Sequence, residues 1–416
     1  MSERYFQHTF GNGLTLVGER MPGMRSVAMT LLVPAGVSTD PAGKVGVSAV
    51  LSDLVLRGAG PWDSRQLTDH LDGLGLQRSS SVGVYHTRLG AAAGMAARMR
   101  AALPAYAAVL SSPHLPADGF EAARDLALQS LAGLDDDPRQ KLLVALRETY
   151  FGEPMGRNTM GVEADIRGLS REDAAAEHRR RYVGGGAILA VAGDVDEPTW
   201  RDAVGEAFAV VPRGDVVLPA ATPPPATPRH VFREQSSEQV HIGIAYPSVP
   251  ETHEDYYVAR MAVEVLSGGM SGRLFTEVRE KRGLCYAVWA GYSSLREQGA
   301  VTGYAGTTAE RAEQTLACFI GELRRLAEGV TEAELERAKT GLKSAVVMSG
   351  ESTPSRAGAI AHDWFTRGRL RSLDEIKAAI DAVTVDRVNA YLRAHPPGPF
   401  TTVIVGPRDL KVPEEG

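Results

Sequence analysis

The segment Ser267–Val288 reads SGGMSGRLFTEVREKRGLCYAV, and its residue types predict a loop, a helix and a strand in succession. The pair Gly268-Gly269 is typical of a tight loop, because glycine adopts backbone angles that other residues avoid. Residues Ser271–Arg282 follow as a predicted helix whose apolar positions recur every four residues. Gly283 then stands where many helices end in a left-handed residue. The segment therefore predicts a charged helix that begins at a glycine loop and leads into a strand.

A second helix is predicted at Gly46–Leu56, and Gly58 follows it closely. Its apolar residues recur at the helical spacings of three and four, which indicates one buried stripe. The members of this stripe are Val47, Val50, Leu51, Leu54 and Val55. The neighbouring face presents Ala49, Ser52 and Asp53. By itself the pattern is that of an ordinary amphipathic core helix.

The stretch Gly214–His230 reads GDVVLPAATPPPATPRH and is predicted to be an extended linker. Proline fixes φ and removes a backbone donor, so such a run does not form a packed element. The linker separates two parts of similar length, a first domain at 1–213 and a second domain at 231–416.

The two parts share an order of elements near their ends, namely a helix, a tyrosine and a strand that closes on glycine. Tyr182 and Tyr391 lie 209 positions apart, and Gly193 and Gly406 lie 213 apart. Similar offsets at two landmarks favour a duplicated domain of about two hundred residues. Chance recurrence of common elements is the alternative.

Each part mixes strands and helices without a regular βαβ alternation. The predicted strands include Thr15–Gly18, Ser26–Pro34, Gln239–Tyr246 and Ala300–Thr307. Capping-box spacings at Thr331 to Glu334 and at Asp118 to Glu121 mark two helix starts. Segregated runs of strands and helices favour the α+β class, with an antiparallel sheet packed with helices in each domain.

Composition limits the possible classes of partner. The chain has 416 residues, 44% of them hydrophobic and 23% charged, and a net charge of −6, so nucleic acid is not an expected partner. Its two cysteines cannot form a disulfide framework. The polar start of the chain and its short apolar runs indicate no signal peptide and no membrane helix. We therefore expect a cytoplasmic protein.

The helix Gly46–Leu56 resembles the zinc-binding helix of the insulinase and pitrilysin-type metallopeptidases. In that family two histidines of an inverted H-x-x-E-H motif bind zinc, and the glutamate is the general base. The two histidine positions correspond here to Ala49 and Asp53, and the glutamate position to Ser52. The family's third ligand, a glutamate, falls on Ser130. The resemblance therefore implies a degenerate site that binds no metal, because a catalytic zinc needs three protein ligands.

The segment Ser267–Val288 also resembles the family's signature G-G-M-S-S-R-L-F-x-E-V-R-E-K-R-G-L-x-Y. In the family an arginine and a tyrosine seven positions apart in this signature bind the substrate backbone and stabilise the tetrahedral intermediate. Arg279 and Tyr286 have this spacing. The resemblance implies catalytic roles for this pair, and substrate binding by Gly268, Gly269 and Met270. The alternative for Arg279 is a solvated arginine within the charged run Glu277–Arg282.

The resemblance covers nearly the whole chain and implies two homologous domains in a clamshell arrangement. It further implies a subunit that supplies the arginine and tyrosine to a zinc-bearing, paralogous partner acting on peptides, with no cofactor in this chain itself. Two alternatives remain open. One is a non-catalytic scaffold resembling the core subunits of respiratory complexes, and the other is a peptide-binding homodimer.

Overall fold

The computed structural model describes residues 4–413, and the chain divides into two compact units. Unit 1 contains the chain up to Ala132, Arg157–Pro219 and Ser349–Arg371. Unit 2 contains Gly133–Gly156, Ala220–Met348 and the chain from Ser372 onward.

The strands are β1 (Tyr5–Thr9), β2 (Thr15–Arg20), β3 (Val27–Val33), β4 (Gly58–Ala59), β5 (Trp62–Asp63), β6 (Gln77–Val82), β7 (Thr87–Ala93), β8 (Ile188–Gly193), β9 (Arg229–Glu234), β10 (Gln239–Ser248), β11 (Ala287–Ser294), β12 (Gly299–Thr308) and β13 (Thr401–Gly406).

The α-helices are α1 (Val47–Leu54), α2 (Ser64–Gly73), α3 (Ala96–Ser111), α4 (Ala117–Ala132), α5 (Pro138–Phe151), α6 (Glu163–Gly168), α7 (Arg171–Arg181), α8 (Glu197–Ala207), α9 (Tyr256–Ser267), α10 (Ala312–Arg325), α11 (Glu332–Gly350), α12 (Thr353–Arg367), α13 (Leu373–Asp381) and α14 (Val385–Ala394).

The two units contain sheets with the same topology. Unit 1 has the strand order β1-β2-β8-β3-β7-β6, and unit 2 has β9-β13-β10-β12-β11. In both sheets one pair is parallel, β2 with β8 and β9 with β13, and the pairs that follow are antiparallel. Strands β8 and β13, which carry the landmarks Gly193 and Gly406, occupy the same place. The predicted α+β class with two homologous domains is therefore confirmed.

Each unit includes one helix from the other side of the linker. Helix α5 packs against β10 and β13 of unit 2, where Leu142 lies over Gly243. Helix α12 packs against β2, β3 and β8 of unit 1, and its Ile360 is buried beside Val17 and Ile188. The predicted boundaries at 213 and 231 follow the chain, whereas the compact units exchange these two helices. The physical reason is that each sheet face buries apolar surface against a helix that the chain delivers from far away in sequence.

A buried ion pair holds α12 on the sheet of unit 1. Nε of Arg356 lies 2.6 Å from Oε2 of Glu19, and both side chains are almost fully buried. Arg4 and the hydroxyl of Tyr5 also donate to Oε1 of Glu19, at 2.9 and 3.1 Å. The carboxylate is thus shared by three donors, which is what keeps a buried charge from being costly.

The predicted linker contains no helix and no strand until β9 begins at Arg229. Its side chains are largely exposed, and the hydroxyl of Thr222 donates to the carbonyl oxygen of Phe151 at 2.9 Å. The clamshell arrangement of the domains stays a prediction.

Most predicted elements are found within two residues of their predicted bounds, with one wrong helix cap. The box at Thr331 and Glu334 is present, since the Glu334 carboxylate accepts from the Thr331 backbone N–H at 2.9 Å. The box at Asp118 is wrong, because α4 already begins at Ala117 and the Asp118 carboxylate accepts from Gly119 instead. Within residues 4–413, no helix is both long enough and apolar enough to cross a bilayer.

Candidate functional site

The signature segment forms a helix that is shorter than predicted. Most of this helix is a π-helix, whose turns are wider than those of an α-helix. It runs from Arg273 to Glu280 rather than from Ser271 to Arg282, and Phe275–Glu280 is a π-helix. Gly272 remains in the preceding turn, where its N–H donates to the carbonyl of Gly269. Single π-helical turns are uncommon and are frequently found at functional sites. Gly283 ends the helix with φ of 59°, as the sequence predicts.

Arg279 is exposed on this π-helix, and its guanidinium lies over the ring of Phe275 at 4.8 Å from the ring centroid. No carboxylate or hydrogen-bond acceptor contacts this guanidinium in the part of the chain that the structure describes. The ring fixes one face of the guanidinium and leaves its N–H edge available. A planar cation held in this way can bind a carbonyl or carboxylate oxygen.

The other charges of the same run are neutralised locally. Glu277 accepts from Lys281 at 2.7 Å and from Arg282 at 2.8 Å. These hydrogen bonds, the one from Lys281 first, lower the pKa of Glu277 below its ordinary value. Arg279 therefore differs from its neighbours in a way that the sequence pattern alone does not reveal.

Tyr286 lies just before β11, and 47% of its surface is exposed. Its hydroxyl donates to Oε1 of Gln239 at 2.6 Å, and its ring lies against Gly306. A side chain at position 306 would collide with the phenol, because a Cβ there would stand 2.4 Å from the hydroxyl oxygen. Gly306 is thus required for the position of Tyr286, and sequence reasoning missed both Gly306 and Gln239.

Behind Tyr286, a short chain of hydrogen-bonding groups leads into unit 2. The hydroxyl of Tyr304 lies 3.3 Å from that of Tyr286 and 2.9 Å from Nδ1 of His241. Burial lowers the pKa of His241 and raises the pKa of Tyr304. At neutral pH His241 and Tyr304 are therefore uncharged. The contacts from His241 to Tyr304 and from Tyr304 to Tyr286 are hydrogen bonds between neutral groups.

The predicted substrate-binding residues form the turn between α9 and the π-helix. Gly268 follows the last residue of α9, Gly269 has a left-handed φ of 111°, and Met270 is exposed. The turn precedes the helix that carries Arg279, and no contact joins these three residues to the Arg279 or Tyr286 side chains among the described residues. Their role in binding stays a prediction.

Arg273, the first arginine of the signature, anchors the π-helix. Its Nε and Nη2 atoms pair with the two carboxylate oxygens of Glu334 at 2.7 and 2.9 Å. Nη2 also donates to the carbonyl of Gly329 at 2.8 Å. The hydrogen bond from Arg273 lowers the pKa of Glu334 to about 2. Arg273 therefore holds the π-helix against the start of α11, a positioning role that sequence analysis missed.

Cys285, next to Tyr286, is buried, and burial raises the pKa of its thiol to about 11. A protonated, buried thiol is a poor nucleophile, which leaves no role for this cysteine in covalent chemistry.

In unit 1, the positions that the family resemblance assigns to zinc chemistry line one cleft of about 220 Å³. Helix α1 contributes Ala49, Ser52 and Asp53, and the facing helix α4 contributes Ser130. Two separate stretches of sequence are therefore brought together where the resemblance requires them to meet.

The polar groups of this cleft are bonded to their own helices. The hydroxyl of Ser52 donates to the carbonyl of Ala49 at 2.8 Å, and that of Ser130 donates to the carbonyl of Leu126 at 2.9 Å. The carboxylate of Asp53 forms an ion pair with Arg57.

These residues do not fit a zinc ion. A catalytic zinc site requires three nitrogen, sulfur or carboxylate ligands, and the cleft offers one carboxylate that is already paired with a cation. Among residues 4–413, no group of three or more histidine, cysteine, aspartate or glutamate side chains is arranged to hold a metal.

Residues 168–342 match the protein family described as "Peptidase M16 inactive domain", and this range includes the whole signature segment. Sequence relatives extend over nearly the full chain. An uncharacterized zinc protease of Mycobacterium tuberculosis is 27% identical over 97% of this chain and 93% of its own length. The uncharacterized zinc protease YmxG of Bacillus subtilis is 25% identical over 93% of this chain and 94% of its own.

Solved structures share the fold. A peptidase M16 inactive domain from Pseudomonas fluorescens superposes with a TM-score of 0.89 at 22% identity, covering 98% of this chain and 100% of that one. A chain of Complex III2 from Candida albicans superposes with a TM-score of 0.82 at 18% identity, covering 96% and 95%. Together with the match over residues 168–342 and the relatives, these similarities confirm the resemblance: residues 168–342 match the peptidase M16 inactive domain, and the whole chain shares the fold of the solved structures.

Proposed function

We propose that this chain is a zinc-free subunit of a two-chain metallopeptidase. In this proposal Arg279 and Tyr286 bind the peptide backbone and stabilise the oxyanion that forms when a partner's zinc site attacks it. A permanent cation and a phenol donor, preorganised at the place where negative charge develops, are suited to this task.

The observation that carries the proposal is the contrast around Arg279. Its neighbours Lys281 and Arg282 are paired with Glu277, whereas Arg279 is held by an aromatic ring with its donors unpaired. Tyr286 is likewise exposed and held in place by Gln239. Solubility alone would not require that the arginine on this helix remain unpaired, or that a tyrosine seven positions later remain half-exposed.

The zinc is assigned to a partner because the cleft of unit 1 offers only one potential ligand among the described residues, the carboxylate of Asp53, which is already paired with Arg57. Relatives of similar length are named zinc proteases, which supports a peptidase context for the family. The partner in this proposal is a paralogous chain with an intact H-x-x-E-H helix.

The experiment is reconstitution with the product of a neighbouring gene that encodes such a helix. Each chain is purified alone and as a co-expressed complex, and cleavage of a quenched fluorescent peptide library is measured with and without a zinc chelator. The proposal expects cleavage by the complex only, and its loss with the chelator. If the zinc-bearing chain cleaves equally well by itself, this chain does not take part in the chemistry.

A scaffold subunit is the second candidate, and the fold shared with a chain of Complex III2 favours it. A scaffold requires the sheets and cores but neither the unpaired guanidinium of Arg279 nor the exposed phenol of Tyr286. Under this alternative the complex forms and tolerates replacement of both residues without loss of activity. A peptide-binding homodimer would instead bind peptides with no partner and no cleavage.

A further inference from the structure

Unit 2 contains a cavity of about 280 Å³ between helix α5 and the outer strands of its sheet. The helix contributes apolar side chains together with Gln140, Arg147 and Tyr150, and the strands contribute small polar ones. The lining includes Leu143, Val144, Leu146 and Phe151 from α5, and Ser293 and Thr302 from β11 and β12. The volume lies just below the range of ordinary small-molecule sites, about 300–1,000 Å³, and suits a single large side chain.

The cavity exists because α5 covers only half of the sheet face. The helix packs on β10 and β13, where Gly243 allows Leu142 to approach closely. Beside it, the uncovered strands carry Gly291, Ser293 and Thr302, and only the Trp289 ring lies within 4 Å of the space above Gly291. Because these strand residues are small, the apolar side chains of α5 above them face an unfilled space, which is the cavity.

Two buried hydrogen-bonding side chains at this end of unit 2 have no partner of normal geometry within the described residues. Tyr150 lines the cavity and is 2% exposed, and its hydroxyl, although within reach of the Gln298 amide, makes no hydrogen bond of normal geometry within the described residues. Gln298, 6% exposed, has both amide atoms unbonded. Its amide lies close enough to oppose the effect of burial on the pKa of Tyr150. A buried donor without a well-placed partner destabilises the fold, so a ligand that offers a carbonyl here is favoured.

The cavity lies on the same face of the sheet as the hydroxyl of Tyr286. Cross-strand pairs place Gly243, Tyr304 and Trp289 in one row and Gly291 and Thr302 in the next. Side chains in such rows share a face, which is the face that α5 covers. The Tyr304 hydroxyl contacts that of Tyr286. The Trp289, Gly291 and Ser293 positions of the edge strand β11 therefore lie on the same face as the Tyr286 hydroxyl, whereas Tyr304 itself is buried.

The distance along this surface matches an extended peptide. Tyr286 and Ser293 are separated by seven residues, which is about 23 Å at the rise of a strand. An extended substrate held at Tyr286 would place a side chain at the cavity about five to seven residues from the bond under attack.

We propose that this cavity is a second substrate subsite, which binds one large apolar or aromatic side chain of the peptide at that distance from the cleaved bond. Leu143, Val144 and Phe151 bury the side chain, and the hydroxyl of Tyr150 donates to a carbonyl of the bound peptide. This assignment rests on the proposed peptidase function but is tested by binding alone.

The experiment uses the full chain without a partner and two fluorescein-labelled decapeptides of glycine, serine and alanine. One decapeptide carries a single phenylalanine, and the other has alanine at that position. Fluorescence anisotropy should show at least tenfold tighter binding of the phenylalanine peptide, which corresponds to about 1.4 kcal/mol. Equal affinity of the two peptides for the wild-type chain would overturn the subsite while leaving the reconstitution experiment unaffected.

Two variants locate the binding. Val144→Trp fills the cavity from the helix, and Ser293→Phe fills it from the sheet, so each should abolish the preference for phenylalanine. The matched control is Val347→Trp, which places the same ring on the exposed surface of α11 in the same unit. Thermal unfolding verifies that each variant is folded. A preference that survives in both filled variants, or that is lost in the control, means that phenylalanine binds elsewhere and refutes the proposal.

The double variant Arg279→Ala with Tyr286→Phe separates this subsite from the proposed catalytic pair. It should retain the preference for phenylalanine, because the cavity walls are unchanged. Loss of the preference in this variant would show that the pair itself recognises the side chain, and would refute a separate subsite.

Discussion

The hydroxyl of Tyr286 donates a hydrogen bond of 2.6 Å to Oε1 of Gln239, a residue 47 positions earlier at the start of β10. The interaction orients an exposed phenol that would otherwise rotate freely, with Tyr304 behind it. Preorganisation of this kind is what distinguishes a functional donor from a surface tyrosine.

Tyr286→Phe should leave assembly of the reconstituted complex intact and lower its kcat by about 10²–10³, the usual effect of losing one oxyanion donor. Peptide cleavage and gel filtration of the same sample measure both quantities. The matched control is Tyr292→Phe, which removes a hydroxyl bonded to the Val249 carbonyl at 2.7 Å. The control should lower the melting temperature but not kcat. Unchanged kcat in Tyr286→Phe would contradict the catalytic role.

Arg279→Ala and Arg282→Ala form a matched pair on one helix. Arg279 has unpaired donors, so its loss should lower kcat/KM by about 10²-fold or more with little effect on stability. Arg282 is paired with Glu277 on the surface, where solvent screens the pair, so its loss should have little effect on stability and leave kcat/KM unchanged. Equal effects of the two substitutions would favour the solvated-helix alternative for Arg279.

The purified chain should hold no stoichiometric zinc, because Asp53 is the only carboxylate among the four degenerate positions and is paired with Arg57. The triple variant Ala49→His, Asp53→His and Ser130→Glu should bind about one zinc per chain, since three ligands then meet in one cleft. Metal analysis after dialysis measures both proteins. One tightly bound zinc in the wild-type chain would refute the first statement, and a zinc-free triple variant would refute the assigned register.

Acid should weaken the anchor of the π-helix. The hydrogen bond from Arg273 lowers the pKa of Glu334 to about 2 in the folded chain, below its value of about 4.3 in the unfolded chain. The contribution to stability is therefore complete above about pH 5 and is lost as the pH falls toward 2. Arg273→Met should reduce the free energy of unfolding by about 1–2 kcal/mol at pH 7, since solvent screens this partly exposed pair. Urea unfolding at pH 7 and pH 3 should show the difference shrinking, and a constant difference would contradict the assignment.

Limited proteolysis should cut first within residues 214–228, where the chain has no helix or strand and Val217 is 90% exposed. The cut protein should still elute as one species, because unit 1 retains α12 and unit 2 retains α5 across the cut. Denaturing electrophoresis and native gel filtration distinguish these states. First cleavage inside α1 with an intact linker would contradict the predicted boundary.

Local pattern was enough to predict several elements of secondary structure. The apolar stripe of α1, the strand β13 and the glycine end at Gly283 follow from spacings of a few residues, and the structure confirms them. The duplicated topology was also visible, because equivalent strands keep equivalent landmarks. The candidate site was recognisable because the signature residues are contiguous in sequence.

The tertiary structure decided the contacts between residues that are far apart in the sequence, which local spacing cannot encode. Arg356 meets Glu19 across 337 positions, and this contact assigns α12 to unit 1. The π-helical turn, the free donors of Arg279 and the partners of Tyr286 likewise depend on which distant groups are within reach. The sequence by itself determined which residue types are present and hence that the zinc ligands are missing. Only the fold decided which of these residues are buried, paired or exposed, because those properties arise from contacts between segments that are remote along the chain.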